Sequence, residues 1–171
     1  MSDEFPVDLL RGYVGFKETW AAKPESHVMR IAVDGSADDP SNAESIWSEN
    51  YWIGHVNTSP TQPHMLTFCH EGPWELVDNR IWGLDMNTGK AWPIRPREIE
   101  YERVGHEYWQ EDGIHVAYHG HKPDGYKFFG HCIYDGTEVE EYSFPAETGH
   151  IHSNGFEPVS YTHLTLPTNG C

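Results

Sequence analysis

The chain has 171 residues, with 27 acidic side chains against 11 basic ones and a net charge of −16. That length allows one domain with a real core, and a field of that sign repels nucleic acid and anionic membranes, so neither is an expected partner. The longest apolar run falls far short of a membrane span, Met1-Ser2-Asp3-Glu4-Phe5 is no signal-peptide core, and three irregularly spaced cysteines give neither a disulfide framework nor a zinc motif, so a reducing, cytoplasmic setting is the expectation.

Residues 1–10 carry little signal. From Arg11 onward short alternating runs are broken by turn residues, and no window has a helical period. Tyr13 to Phe16 reads as a strand, as do Val28 to Val33, closed by Asp34-Gly35, and Ser45 to Trp47. A four-strand unit follows: Trp52 to Asn57, His64 to Cys69, Arg80 to Met86 and Ala91 to Arg95. Its turns fall at Ser59-Pro60, Glu71-Gly72-Pro73 and Asn87-Thr88-Gly89. A second unit has strands Val104 to Trp109, Ile114 to His119, Tyr126 to Tyr134 and Val139 to Phe144.

These units share an opening. Gly54-His55 is matched by Gly105-His106 and again by Gly149-His150, so the histidines are spaced by 51 and 44 residues. Four-stranded units at about that period are the signature of β-propeller blades. The expected fold is therefore all-β, a propeller fragment of about three blades: 11–50, 51–98 and 103–146, with another starting at 149–157. Propellers carry roughly four to eight blades, so residues 1–158 are read as part of a larger ring. The stretch Val159 to Thr168 breaks the blade pattern and resembles a translated sequencing adapter, so residues 159–171 are expected to be non-native.

In a propeller the first strand of each blade lines the channel. Repetition then brings His55, His106 and His150 to one height around one axis, which suits metal binding or proton transfer. His70 ends the neighbouring antiparallel strand and should return to the same edge. We therefore expect His55, His70 and His106 to meet, with Arg80 nearby to grip a carboxylate, or else to pair with Asp78 or Glu71. His119-Gly120-His121 is expected to face solvent beside a turn, and His150-Ile151-His152 is the better candidate for chelation. Trp74 and Trp109 should fill space between blades.

Gly54-His55-Val56, Ser59-Pro60-Thr61, Phe68-Cys69-His70-Glu71-Gly72-Pro73-Trp74, Leu76-Val77-Asp78, Arg80-Ile81-Trp82 and Gly105-His106-Glu107-Tyr108-Trp109 resemble the oligogalacturonate lyase family. The likeness is close over residues 45–125 and looser from 11 to 157. It implies a seven-bladed cytoplasmic propeller that binds manganese and cleaves short α-1,4-galacturonides by β-elimination. It implies a metal-ligand role for His106, with further ligands beyond this chain, and a general-base role for a histidine one blade earlier. His55 and His70 both meet that description. Arg80 would contact substrate. The alternative is a non-catalytic propeller platform with structural histidines; a hydrolase is disfavoured because no Gly-x-Ser-x-Gly elbow is present.

Overall fold

A computed structural model describes residues 15–32 and 42–143, together with the backbone of strands at 150–153 and 158–161. Strand β1 (Glu25–Arg30) pairs antiparallel with β2 (Glu44–Asn50). Strands β3 (Ile53–Thr58), β4 (Met65–His70), β5 (Ile81–Asp85) and β6 (Lys90–Arg95) form a sheet in sequential order. Strands β7 (Arg103–Trp109), β8 (His115–His121), β9 (Lys127–Ile133) and β10 (Glu140–Ser143) form a second sequential sheet. Each is an antiparallel meander, because every connection is a short turn of the kind that closes a hairpin. The backbone of β11 (His150–Ser153) pairs with β12 (Pro158–Tyr161), so residues 158–161 are strand. The side chains of His150 and His152 lie outside the described residues.

The expected strand at Tyr13 to Phe16 is not observed. Tyr13 and Val14 lie outside the described residues, and Phe16 begins a helix, α1 (Phe16–Ala22). Lys17, Glu18, Ala21 and Ala22 favour this conformation locally. Lys23 ends the helix in the left-handed region at φ 48, and Pro24 follows. Seven residues are too few to be stable alone, so tertiary contacts must hold the helix. The Trp20 indole donates to the Tyr51 hydroxyl at 3.0 Å, and the Phe16 ring meets the Trp52 ring edge-on at 4.8 Å.

All six residues of β4 are buried, because this strand is covered on both faces. Leu66 and Phe68 point toward β1 and β2 and pack with Val28 and Leu84. Met65, on the alternate face, joins Ile81, Ile94, Val104, Val116 and Phe128 in a cluster between the two four-stranded sheets. A propeller blade is stable for this reason: neither of its faces can be left to water. Polar groups at the ends of this seam are satisfied across it. Ser59 Oγ donates to the Gly113 carbonyl at 2.8 Å, and Thr61 Oγ1 to that of Asp112 at 2.8 Å. At the other end Arg95, 2% exposed, pairs with Glu102 at 3.0 Å and with Glu141 at 2.8 Å. Phe128 lies against Gly120, where a Cβ would stand 2.6 Å from its Cζ.

Phe128→Ala should therefore lower unfolding stability by about 3–5 kcal/mol in a urea titration of the chain, since Phe128 is fully buried and the cavity cannot collapse onto rigid strands. A loss below about 1 kcal/mol would mean that the two sheets do not share a core.

Candidate functional site

The repeated Gly-His pairs do the same thing to the backbone. In β3 the pairing register shifts between Gly54 and Asn57, and in β7 between Gly105 and Tyr108. Within each bulge the histidine sits in the left-handed region, at φ 48 for His55 and φ 52 for His106. This conformation is uncommon outside glycine, though histidine tolerates it better than most residues, and bulges of this kind re-aim a side chain out of the sheet. The preceding glycine is needed for space. A Cβ on Gly54 would come within 2.9 Å of the Glu71 side chain, and one on Gly105 within 2.9 Å of the Trp74 ring.

His55 is delivered in this way to the seam between the two sheets. Its Nε2 lies 3.4 Å from Glu71 Oε1, and its Nδ1 lies 3.3 Å from Glu107 Oε1, which belongs to β7. Arg80 holds the far oxygens of the same carboxylates: Nη1 reaches Glu71 Oε2 at 2.9 Å and Nε reaches Glu107 Oε2 at 3.5 Å. The Cys69 thiol adds a contact to Glu71 Oε1 at 3.4 Å. Exposure falls steeply over a short distance, from 48% for the His55 side chain to none for that of Glu107. Contact with Glu107, first by hydrogen bonding and then by charge, holds the His55 imidazole above its ordinary range despite partial burial. Burial alone would raise the Glu107 carboxyl, but His55 and Arg80 outweigh it and hold it below the usual carboxylate range. Burial pushes the Cys69 thiol well up, so it stays protonated.

The seam continues through Trp74 to a second group. The Arg80 guanidinium lies 5.9 Å from the Trp74 ring, and the edge of that ring meets His106 at 5.9 Å. The His106 and His119 rings are 4.7 Å apart. His119 is not solvent-facing as expected; it is 3% exposed because its strand is the inner neighbour of β7 and Trp74 covers it. Trp74 does fill the space between blades.

The three histidines do not all converge. His70 is on the face of β4 that carries Leu66 and Phe68, so alternation sends it away from Cys69 and His55. It is 3% exposed and stacks on Tyr51 at 3.8 Å. Its Nδ1 meets Asp78 at 2.8 Å and its Nε2 meets Glu49 at 2.9 Å. Burial opposes its protonation, but these two carboxylates together keep its pKa raised. Of the two pairings anticipated for Arg80, the one with Glu71 forms, and Glu107 takes the second side of the guanidinium. A substrate carboxylate would have to displace one of them. Cys69 and Glu107 were not singled out as site residues by sequence reasoning, and Glu71 was anticipated only as a partner of Arg80. The available signal was a glutamate on the inward face of β7, sharing that face with Trp109.

Two antiparallel meanders with a charged site in the seam between them define an all-β protein of the propeller class. A family model described as oligogalacturonate lyase matches residues 6–150. The chain is 34% identical over 107 residues to the oligogalacturonide lyase of Pectobacterium atrosepticum, covering 60% of this chain and 26% of that protein. It is 30% identical over 103 residues to the oligogalacturonate lyase of Dickeya dadantii, covering 60% of this chain and 25% of that protein. Among solved structures, oligogalacturonate lyase in complex with manganese superposes with a TM-score of 0.72 at 28% identity, over 85% of this chain and 38% of that one. The oligogalacturonate lyase of Vibrio parahaemolyticus gives 0.72 at 26% identity, over 85% and 37%. The chain belongs to the oligogalacturonate lyase family, and it spans about a quarter of the length of the curated relatives it matches.

The seam geometry sets a measurable proton affinity. Raised in the fold, the His55 pKa contributes stability fully below the ordinary value of 6.5, and that stability is lost as pH rises through the folded value. Glu71, Glu107 and Arg80 are the charged groups facing it. NMR titration of the imidazoles should place the His55 midpoint above 6.5, and Glu107→Gln should bring it down while His70 stays where it was. An unmoved His55 midpoint would show that Glu107 does not set its proton affinity.

Proposed function

We propose that this chain supplies part of the active site of an enzyme that cleaves short α-1,4-linked galacturonides by β-elimination in the cytoplasm, with His55 as the general base. The observation that carries this reading is the contrast between two histidines. His55 is half-exposed and its two carboxylate contacts are long, at 3.4 Å and 3.3 Å, whereas His70 is buried and its ring nitrogens are held by carboxylates at 2.9 Å and 2.8 Å. A base must reach the proton that it removes, within hydrogen-bonding distance or through one water. His70 would first have to give up Asp78 or Glu49.

Elimination begins with loss of the proton on the carbon next to the uronate carboxylate. That proton passes to a neutral imidazole nitrogen of His55. The electron pair left behind forms the double bond as the glycosidic oxygen departs. Glu107 and Glu71 orient the ring and stabilise the imidazolium that results. The same carboxylates favour the protonated resting form, so the competent base is populated on the alkaline side of the ordinary histidine value. Arg80 is given a different role from the one the sequence implied. Committed to two protein carboxylates, it fixes their position and offsets their charge beside an anionic substrate.

A manganese ion is bound in one solved relative. The residues present fit such an ion in part: His106 and His119 place two imidazole rings 4.7 Å apart, centroid to centroid, and an ion that favours oxygen would need further, harder donors beside them. His106, with His119 beside it, would hold it. When bound, a divalent cation there supplies positive charge for the carboxylate on which charge builds during proton removal.

In an enzyme with its full set of blades, His55→Ala should lower turnover of digalacturonate by at least about a hundredfold, read as ultraviolet absorbance of the unsaturated product. Manganese content should stay unchanged in that variant. His106→Ala should lower metal content and turnover together. Turnover retained in His55→Ala would exclude it as the base, and absence of any unsaturated product with the unaltered enzyme would exclude the lyase reading.

A further inference from the structure

We infer that His55, Cys69 and Glu107, with Glu71 beside them, form a binding site for a soft divalent cation of the zinc class, separate from the histidine pair at His106. One donor atom from each of the first three lies within 4.8 Å of the others. Roughly tetrahedral zinc, with bonds of about 2.0–2.3 Å, sets its donors roughly 3.3–3.8 Å apart, so the cluster must contract by about 1 Å. Glu71 Oε1 lies 3.4 Å from Cys69 Sγ but faces the other ring nitrogen of His55, Nε2, at 3.4 Å, so it borders the site and leaves the fourth position to a water.

Two further observations point to a cation. Glu107 is fully buried, yet its Oε1 makes no well-aligned hydrogen bond and is aimed at His55. Its positive partner in the fold is the His55 imidazole at 3.3 Å, and a carboxylate this deeply buried favours a fuller positive charge in the same place. Arg80 takes the Oε2 atoms of Glu71 and Glu107 and so turns both Oε1 atoms toward His55 and Cys69. It acts as an outer support that orients the donors, as groups behind a metal site commonly do.

Charge decides which cation fits. With the thiol protonated and His55 cationic, two carboxylates balance the imidazolium and the guanidinium. When a divalent ion enters, two protons leave for solvent: Cys69 gives up its thiol proton by way of Glu71, and half-exposed His55 gives up a ring proton directly and becomes neutral. Two carboxylates and a thiolate against one guanidinium then leave two negative charges, which the ion cancels. Manganese prefers harder donors and more of them, so a thiolate in the first shell selects against it. Entry is from the His55 side, where Gly54 places no side chain over Cys69. Binding itself does not depend on His55 being a base, although an ion there would take the lone pair that proton abstraction requires.

Cobalt(II) is the spectroscopic stand-in for zinc. Titrated into the 171-residue chain, it should give a thiolate-to-cobalt charge-transfer absorption that an equivalent of zinc removes and manganese does not. Cys132→Ser should keep that absorption; Cys69→Ser should abolish it. His55→Ala and Cys69→Ser should each weaken zinc binding at least about tenfold in competition with a chelating dye. The inference fails if no thiolate absorption appears, if it survives in Cys69→Ser, or if zinc affinity is unchanged in His55→Ala. His55 is half-exposed, so its variant decides the matter even where Cys69→Ser does not fold.

Discussion

Glu107 has no water to solvate it. A carboxylate at full burial must find its counter-charges in protein, and here they come from the neighbouring blade, as Arg80 and His55. The idealised cost of desolvating such an ion far exceeds what a single distant charge returns, so the geometry has to be close and shared. That requirement fixes the two sheets relative to each other at one end of the seam. Arg95 with Glu102 and Glu141 meets the same requirement at another point. Beside these two polar clasps lies the apolar cluster of Ile81, Ile94, Val116 and Phe128, which provides cohesion without register. The site and the blade packing therefore rest on the same contacts.

The backbone prepares the ground for this. A regular strand would send residue 55 up or down, onto one face of its own sheet. The bulge turns His55 outward instead, and the same distortion at His106 shows that it belongs to the repeat rather than to one strand's accidents. Placing a non-glycine residue in the left-handed region costs on the order of 1 kcal/mol or more. Surrounding strands that are buried on both faces can hold it there.

Much of this architecture was legible in the sequence because turns and alternation are local. Asn87-Thr88-Gly89 and Lys122-Pro123-Asp124-Gly125 mark hairpins whatever surrounds them, and the strands they flank begin and end within one or two residues of the reading. Helix α1 was not legible, since a seven-residue segment owes its form to Trp20 docking on Tyr51, a residue that follows 31 positions later. His70 was misplaced for a related reason. The repeat argues about which edge a strand end reaches, whereas the face a side chain takes follows from alternation against Phe68 and Cys69. His119 was assigned to solvent because a turn follows it, but the next strand and Trp74 close over it. Glu107 was the residue most open to detection, as an acid on the inward face of a strand that ends in Tyr108 and Trp109.

The loop from Glu71 to Trp74 has a dual allegiance. Glu71 occupies the space left by Gly54 in its own blade, while Trp74, three residues on, occupies the space left by Gly105 in the next. Each vacancy is generic and each occupant is chemically particular: a carboxylate in one, an indole in the other. Divergence between blades can thus proceed by changing the guest and keeping the socket. The connecting loop, although it belongs by sequence to one blade, is shared equipment of two, and a single-residue insertion within it would put both neighbours out of step at once.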